Sequence, residues 1–122
     1  MTENKLVTLV SKIETNTISD SLTWEATADQ YEFQTTLANF VVRIGEQFDP
    51  DDPDHPDYII KIIDRDGNTL ESATNADLVK MEHEATFGRR HPYEVMQSIF
   101  KKAKRQALGV DKVIDSILSE LE

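Results

Sequence analysis

The chain has 122 residues, a formal charge of −10 and no cysteine, and 39% of its residues are hydrophobic. This size and composition predict one soluble domain, residues 1–122, with a single core. The lack of cysteine excludes disulfides, thiolate metal sites and thiol nucleophiles. No apolar run approaches the roughly 18 residues of a membrane span, and the N-terminus has no signal-peptide pattern, so we expect a cytoplasmic protein without a membrane partner.

A first helix is predicted between Thr2 and Glu14. Its apolar residues recur at i, i+3, i+4 and i+7, which is the spacing of one helix face. They are Leu6, Leu9, Val10 and Ile13. Such a face is expected to pack against the rest of the domain.

A sheet is predicted in the middle of the chain, where the period of the apolar residues changes to two. Trp24 lies on the alternating face of the first strand, where we expect it to anchor the core against a terminal helix. The predicted strands are residues 22–26, 31–37, 40–45, 58–63 and 69–73. They form an antiparallel meander of about five strands.

Two turns of this meander have sequence signals. Asn39 tolerates a positive φ angle and predicts a tight turn, and Asp66 with Gly67 predicts a type I′ hairpin. Residues 75–88 show no clear period, and we expect a mobile segment there.

Two helices are predicted at the C-terminal end, because Pro92 suits a first helical position and Gly109 suits a helix end. Asp111 is expected to cap the second helix. The apolar residues of the first are Met96, Ile99, Phe100, Ala103 and Ala107. Those of the second are Val113, Ile114, Ile117, Leu118 and Leu121.

These elements predict an α+β fold, in which the meander packs against one N-terminal and two C-terminal helices. One face of the sheet is expected to carry Phe40, Val42, Ile60 and Ile62. Val41, Ile59 and Ile63 point to the other face, which needs either a cover from the same chain or a second subunit.

Charge is distributed unevenly along the chain. The net charge is −12 over residues 1–88, +5 over residues 89–105 and −3 over residues 106–122. The cations of the basic segment are Arg89, Arg90, Lys101, Lys102, Lys104 and Arg105. They form a solvated helix face, a docking surface for an acidic protein, or a weak nucleic-acid site without aromatic residues for base stacking.

The acidic counterpart is the segment from Asp49 to Asp57. Prolines at every third position favour a polyproline II loop, in which Asp51, Asp54 and Asp57 lie about 9 Å apart along one edge. A divalent cation needs converging oxygen ligands, so we predict no metal site and a solvated connection, with pairing to the basic helix as an alternative.

Catalytic patterns are weak. The four glycines are isolated, which excludes a P-loop or dinucleotide fingerprint, and no serine lies in a nucleophile elbow. We therefore predict no catalytic residues, no cofactor and no enzyme. A small metal-dependent hydrolase that uses His55 and nearby aspartates is the remaining enzymatic alternative.

Several segments together resemble short, uncharacterised bacterial proteins. They are the N-terminal helix, residues 22–25 (LTWE), residues 31–33 (YEF), residues 41–44 (VVRI), residues 63–67 (IDRDG) and residues 107–111 (ALGVD). The resemblance implies a small α+β domain of bacterial cytoplasmic origin and implies no activity. The acidic loop and the segment from Val79 to Arg90 look like insertions relative to this pattern.

The hypothesis that follows is a non-enzymatic, self-associating protein-interaction module, a homodimer or a binder of another protein. The alternative is a binder of nucleic acid or of an acidic partner through the basic helix.

Overall fold

The computed structural model describes residues 5–81, Phe87 and residues 90–122. The elements run in the order helix, five strands, three helices. The helices are α1 (Lys5–Ile18), α2 (Asn75–Met81), α3 (Pro92–Ala107) and α4 (Val110–Leu121). The strands are β1 (Glu25–Ala26), β2 (Glu32–Leu37), β3 (Phe40–Asp49), β4 (Asp52–Ile63) and β5 (Thr69–Thr74).

The predicted α+β fold with an antiparallel meander is confirmed. The five strands form one sheet in sequence order, and every neighbouring pair is antiparallel. Phe33 pairs with Ile44, Ile44 with Ile60, and Ile60 with Ala73, so these four side chains lie in one row across one face. This row is the floor of the core.

Helix α3 covers that face. It contacts β1, β2, β3 and β4, while α1 packs on α3 and α2 packs on α3 and β5. Five α3 side chains are at most 3% exposed: Val95, Met96, Ile99, Phe100 and Ala103. The rings of Phe33 and Phe100 meet at 5.6 Å.

Trp24 anchors the core as predicted. Its side chain is 2% exposed, and its Nε1 donates to Oγ1 of Thr17 at 3.1 Å. Thr17 lies beyond the predicted end of α1, which continues to Ile18. The Thr15 and Asn16 side chains donate to the carbonyls of Ser11 and Lys12, one turn back. The strand around Trp24 is shorter than predicted, since only Glu25–Ala26 pairs with β2.

The tight turn predicted at Asn39 is confirmed, but the β4–β5 turn is not the type I′ turn predicted there. Ala38 and Asn39 both have positive φ angles, 51° and 68°, so the I′ geometry belongs to the β2–β3 turn. Asp66 does not have a positive φ, and the β4–β5 connection is a five-residue loop, residues 64–68, in which only Gly67 has a positive φ, 86°. Asp64 supports it by accepting from the backbone N–H groups of Asp66 and Asn68, each at 2.9 Å, and these bonds lower its pKa.

Part of the segment predicted as mobile is a helix. Asn75–Met81 form α2, which starts with a reciprocal cap: Asp77 accepts from the Thr74 N–H at 2.9 Å, and Thr74 Oγ1 accepts from the Asp77 N–H at 3.2 Å. Leu78 is fully buried. Residues 82–86 and Gly88, the rest of that prediction, lie outside the described residues.

The acidic segment is not a polyproline II loop. It extends the β3–β4 hairpin, in which Gln47 pairs with Asp57 and Asp49 pairs with Asp52. The register shifts between these pairs, and Pro53 and Pro56 lie in the longer, irregular side of the bulge. Proline has no backbone N–H group, so it is tolerated in a bulge, where the ladder needs no donor.

The second face of the sheet is polar at its centre. Glu32 is 9% exposed and pairs with Lys61 at 3.2 Å and with Arg43 at 3.6 Å, and Arg43 Nε donates to Gln34. Ile63 is 5% exposed and Ile59 is partly buried. The apolar residues predicted for this face, Val41, Ile59 and Ile63, are half-buried or buried within the chain, and charged side chains of neighbouring strands lie on the same face.

Replacing Ile99 by alanine is expected to lower the free energy of unfolding by about 2–5 kcal/mol, because Ile99 is fully buried between α3 and the sheet. Urea denaturation followed by the fluorescence of Trp24, the single tryptophan, measures the change. The matched control is Ile117→Ala on α4, which at protein concentrations where the chain is monomeric should change it by less than about 0.5 kcal/mol. An equal loss in both variants would contradict the packing described above.

Candidate functional site

Helix α4 is the element that the rest of the chain uses least. It begins after Gly109, whose φ of 60° lets the chain leave the end of α3 in a new direction. This confirms Gly109 as the predicted end of α3. It also makes Gly109, rather than Asp111, the residue that precedes α4; the Asp111 side chain pairs with Arg105 instead.

The apolar stripe of α4 faces solvent. Its members are Val113, Ile114, Ile117, Leu118 and Leu121, which are 41% to 79% exposed. Among the described residues α4 packs chiefly against the end of α3, and none of its own residues is buried. An amphipathic helix normally buries such a stripe against another element. In α4 the stripe is present but stays exposed.

The remaining surface of α4 is mainly acidic. Asp111, Asp115 and Glu120 lie off the stripe, and Lys112 is its one cation. A patch of apolar side chains flanked by charges is typical of protein-protein interfaces.

A shallow groove of about 220 Å³ lies beside α1. We call it the α1 groove. Its lining combines four apolar side chains with two polar ones: Leu9, Ile13, Leu22 and Leu37, with Lys12 and Asn16. Its composition suits an apolar side chain better than a polar substrate.

The α1 groove and the start of α4 lie at the same end of the molecule. Gln106, near the end of α3, donates through Nε2 to the carbonyl of Leu22 at 3.0 Å and accepts from the N–H of Trp24 at 2.6 Å. Leu22 itself lines the groove. The last turn of α3 is therefore held next to the groove by two hydrogen bonds.

The predicted basic residues lie in two places. Lys101, Lys102, Lys104 and Arg105 are on the outer side of α3, where Lys102 pairs with Asp20 at 3.8 Å and Arg105 pairs with Asp111. Lys101 and Lys104 are exposed. Arg90 lies before the other end of α3, and Arg89 lies outside the described residues.

Arg90 holds the chain against α1. Its Nη1 and Nη2 donate to the two carboxylate oxygens of Glu14 at 2.7 and 2.5 Å. Glu14 raises the pKa of Arg90 above its usual value through these bonds. The Glu14 side chain is only 10% exposed, so this ion pair is a structural contact.

The acidic hairpin brings one histidine to a carboxylate. His55 Nδ1 lies 2.9 Å from Oδ1 of Asp52, and both side chains are exposed. In the part of the chain that the structure describes, no three His, Asp or Glu side chains are grouped so that they could hold a metal ion. The aspartates of this hairpin are spread along two strands rather than gathered around a point.

Two aromatic residues at the base of this hairpin are also exposed. Tyr31 and Phe48 meet edge to face at 4.9 Å, and each is more than 40% exposed. The predicted strand 31–37 thus begins one residue later, at Glu32, and Tyr31 packs on the hairpin.

No family model, curated protein or solved structure matches the chain. Among the described residues, no helix combines the length and the apolar character needed to cross a membrane. The candidate site therefore depends on the geometry of α4 and the α1 groove. The sequence contains the stripe, but the groove joins residues from α1, a loop and β2 that no local pattern connects.

Replacing Arg90 by methionine is expected to lower the free energy of unfolding by about 1–2 kcal/mol, because a nearly buried carboxylate loses its partner while solvent still reaches the site. Lys104→Met removes an exposed cation from α3 and is the control. The second change Glu14→Gln should recover much of the loss in the Arg90 variant. Denaturant unfolding measures all three; equal stability of the two methionine variants would contradict this role.

The Asp52 hydrogen bond raises the pKa of His55 above 6.5. The contact between protonated His55 and Asp52 therefore stabilises the fold below the unfolded-state pKa of His55. This stabilisation is lost as the pH rises through the folded-state pKa. NMR titration should show a larger decrease of this pKa in Asp52→Asn than in Asp54→Asn, because Asp54 acts only through its charge. Equal decreases would contradict the hydrogen bond.

Proposed function

We propose that this chain is a protein-interaction module that self-associates through the apolar stripe of α4. The observation that carries the proposal is the exposure of this stripe: Ile117 and Leu118 are 55% and 54% exposed on a helix that packs chiefly on the end of α3. A second copy offers the same stripe and is always present at the same concentration. Self-association through a C-terminal helix requires no other partner.

The strength of such an interaction follows from the area available. Covering the exposed half of each side chain of the stripe contributes about 1 kcal/mol per residue. The ten side chains of two copies sum to about 10 kcal/mol, and the lower estimates of the cost of association, about 4 kcal/mol, leave about 6 kcal/mol, a dissociation constant of tens of micromolar. The stripe alone therefore supports a weak and reversible complex.

The polar chemistry of the groove favours binding over catalysis. A catalytic site needs convergent polar groups with perturbed acidity. The α1 groove has only Lys12 and Asn16 among its lining residues, and no acid or histidine. This supports a binding role for the groove. The residues named for a metal-dependent hydrolase, His55 and nearby aspartates, do not line it.

The alternative partner, a nucleic acid or an acidic protein bound by α3, is less well supported. Of the four cations on the outer side of α3, Lys102 and Arg105 already pair with Asp20 and Asp111 of the same chain. Binding a phosphate or a carboxylate there would have to replace these contacts. We therefore prefer self-association.

Replacing Ile117 by aspartate is expected to convert the dimer to a monomer, because the interface would have to desolvate an unpaired charge. Size-exclusion chromatography with light scattering over a concentration series measures the change, with an expected dissociation constant in the micromolar range for the unchanged chain. Ser119→Asp, which adds the same charge on the opposite side of α4, is the matched control.

Both variants should keep the circular dichroism and unfolding midpoint of the monomer, since α4 contributes no buried residue. A strictly monomeric unchanged chain would overturn self-association. So would a dimer that both variants leave intact.

A further inference from the structure

Two apolar surfaces of this chain are open at the same end of the molecule. One is the stripe of α4, and the other is the α1 groove with Leu9, Ile13 and Leu22. Gln106 fixes the end of α3 to the backbone of Leu22, so α4 starts beside the groove but does not enter it in the same chain. The two surfaces are thus available to another molecule together.

We propose that α4 of one copy occupies the α1 groove of a second copy and that the second copy returns the same contact. This inference rests on the proposed self-association and names its geometry. The complex is an isologous dimer with a twofold axis, in which each stripe meets the groove of the other copy. It leaves no stripe exposed.

The area argument favours the groove over a pair of α4 helices alone. The five side chains of the stripe, at about 60–120 Å² each, give about 300–600 Å² per copy. A standard interface buries about 800 Å² per partner. The twofold contact adds to each stripe the groove surface that the partner helix covers, so it buries more area per copy than an α4 pair.

The charges favour the same choice. Helix α4 carries Asp111, Asp115 and Glu120 against the single cation Lys112. Two α4 helices side by side would bring these acids together, which is unfavourable. The rim of the groove carries the exposed cation Lys12. An acidic helix is therefore complementary to the groove and not to itself.

The length of α4 fits this arrangement. Twelve helical residues span about 18 Å, which is the length of about three turns of α1. The groove residues Leu9 to Asn16 occupy two of those turns. One helix can thus lie along the whole groove and keep its first turn at the end of its own α3.

Crosslinking tests this geometry directly, because the chain has no cysteine and every introduced thiol is unique. One preparation carries Asn16→Cys at the groove rim, and a second, longer tagged preparation carries Ile117→Cys on the stripe. After mixing, a short thiol-specific crosslinker should give a heterodimer of intermediate size. The variant with both changes, diluted below the dimer range, should give little crosslinking within one chain.

Three results would overturn the inference. Crosslinking of the Ile117→Cys chain to itself, with no product from the mixture, indicates an α4–α4 pair. Efficient crosslinking within the diluted double variant indicates that α4 fills its own groove. The absence of any dimer by light scattering removes the proposed function as well, so the two failures are distinguishable.

A charge change gives a second readout that does not depend on introduced thiols. Lys12→Glu should weaken dimerisation several-fold, because it places an acid at the groove rim opposite an acidic helix. Lys80→Glu, on α2, changes the net charge equally and should leave the dissociation constant unchanged. Equal dissociation constants for the two variants would show that the groove is not the occupied surface.

Discussion

The sheet has one apolar face, and α3 occupies it. The row of Phe33, Ile44, Ile60 and Ala73 lies under α3, whose inward side chains are almost completely buried. The centre of the opposite face carries the ion pairs of Glu32 with Arg43 and Lys61. Among the described residues, this centre offers α4 no apolar surface. This constraint explains why the apolar stripe of α4 does not pack on the sheet.

The ion pairs divide into two kinds by what they hold. Glu14 with Arg90, and Glu32 with Lys61, involve carboxylates that are about nine-tenths buried, so each fixes one element against another. Lys102 with Asp20 and Arg105 with Asp111 are exposed pairs of small energetic value. Two of the cations that resemble a binding site in the sequence, Lys102 and Arg105, therefore form ion pairs within the chain. Within the described part of the chain, Lys101 and Lys104 are the cations of α3 without an ion-pair partner.

Periodicity predicted most of this fold and little of the site. The alternation over residues 31–37 and 58–63 and the helical spacing around Ile99 were sufficient for the meander and α3, because each pattern reports a face that must be buried. The acidic hairpin was missed because prolines mask strand pairing that a neighbouring strand imposes, and α2 was missed although Thr74 and Asp77 carry its capping signal. The α1 groove has no local signal, since Leu9, Leu22 and Leu37 meet only in three dimensions.

The stripe of α4 marks the limit of pattern reasoning. Its spacing establishes that the helix needs a cover but not which surface supplies it, because hydrophobic burial is non-directional. Charge distinguishes between the possible partner surfaces, which apolar area does not. An acidic helix repels its own copy and is complementary to a groove rim that carries Lys12. The stripe of α4 and the α1 groove are both left exposed in one chain, and each covers the other when two copies meet. The twofold arrangement covers the α4 stripe and the α1 groove of both chains. It is therefore the simplest closed assembly for the molecule.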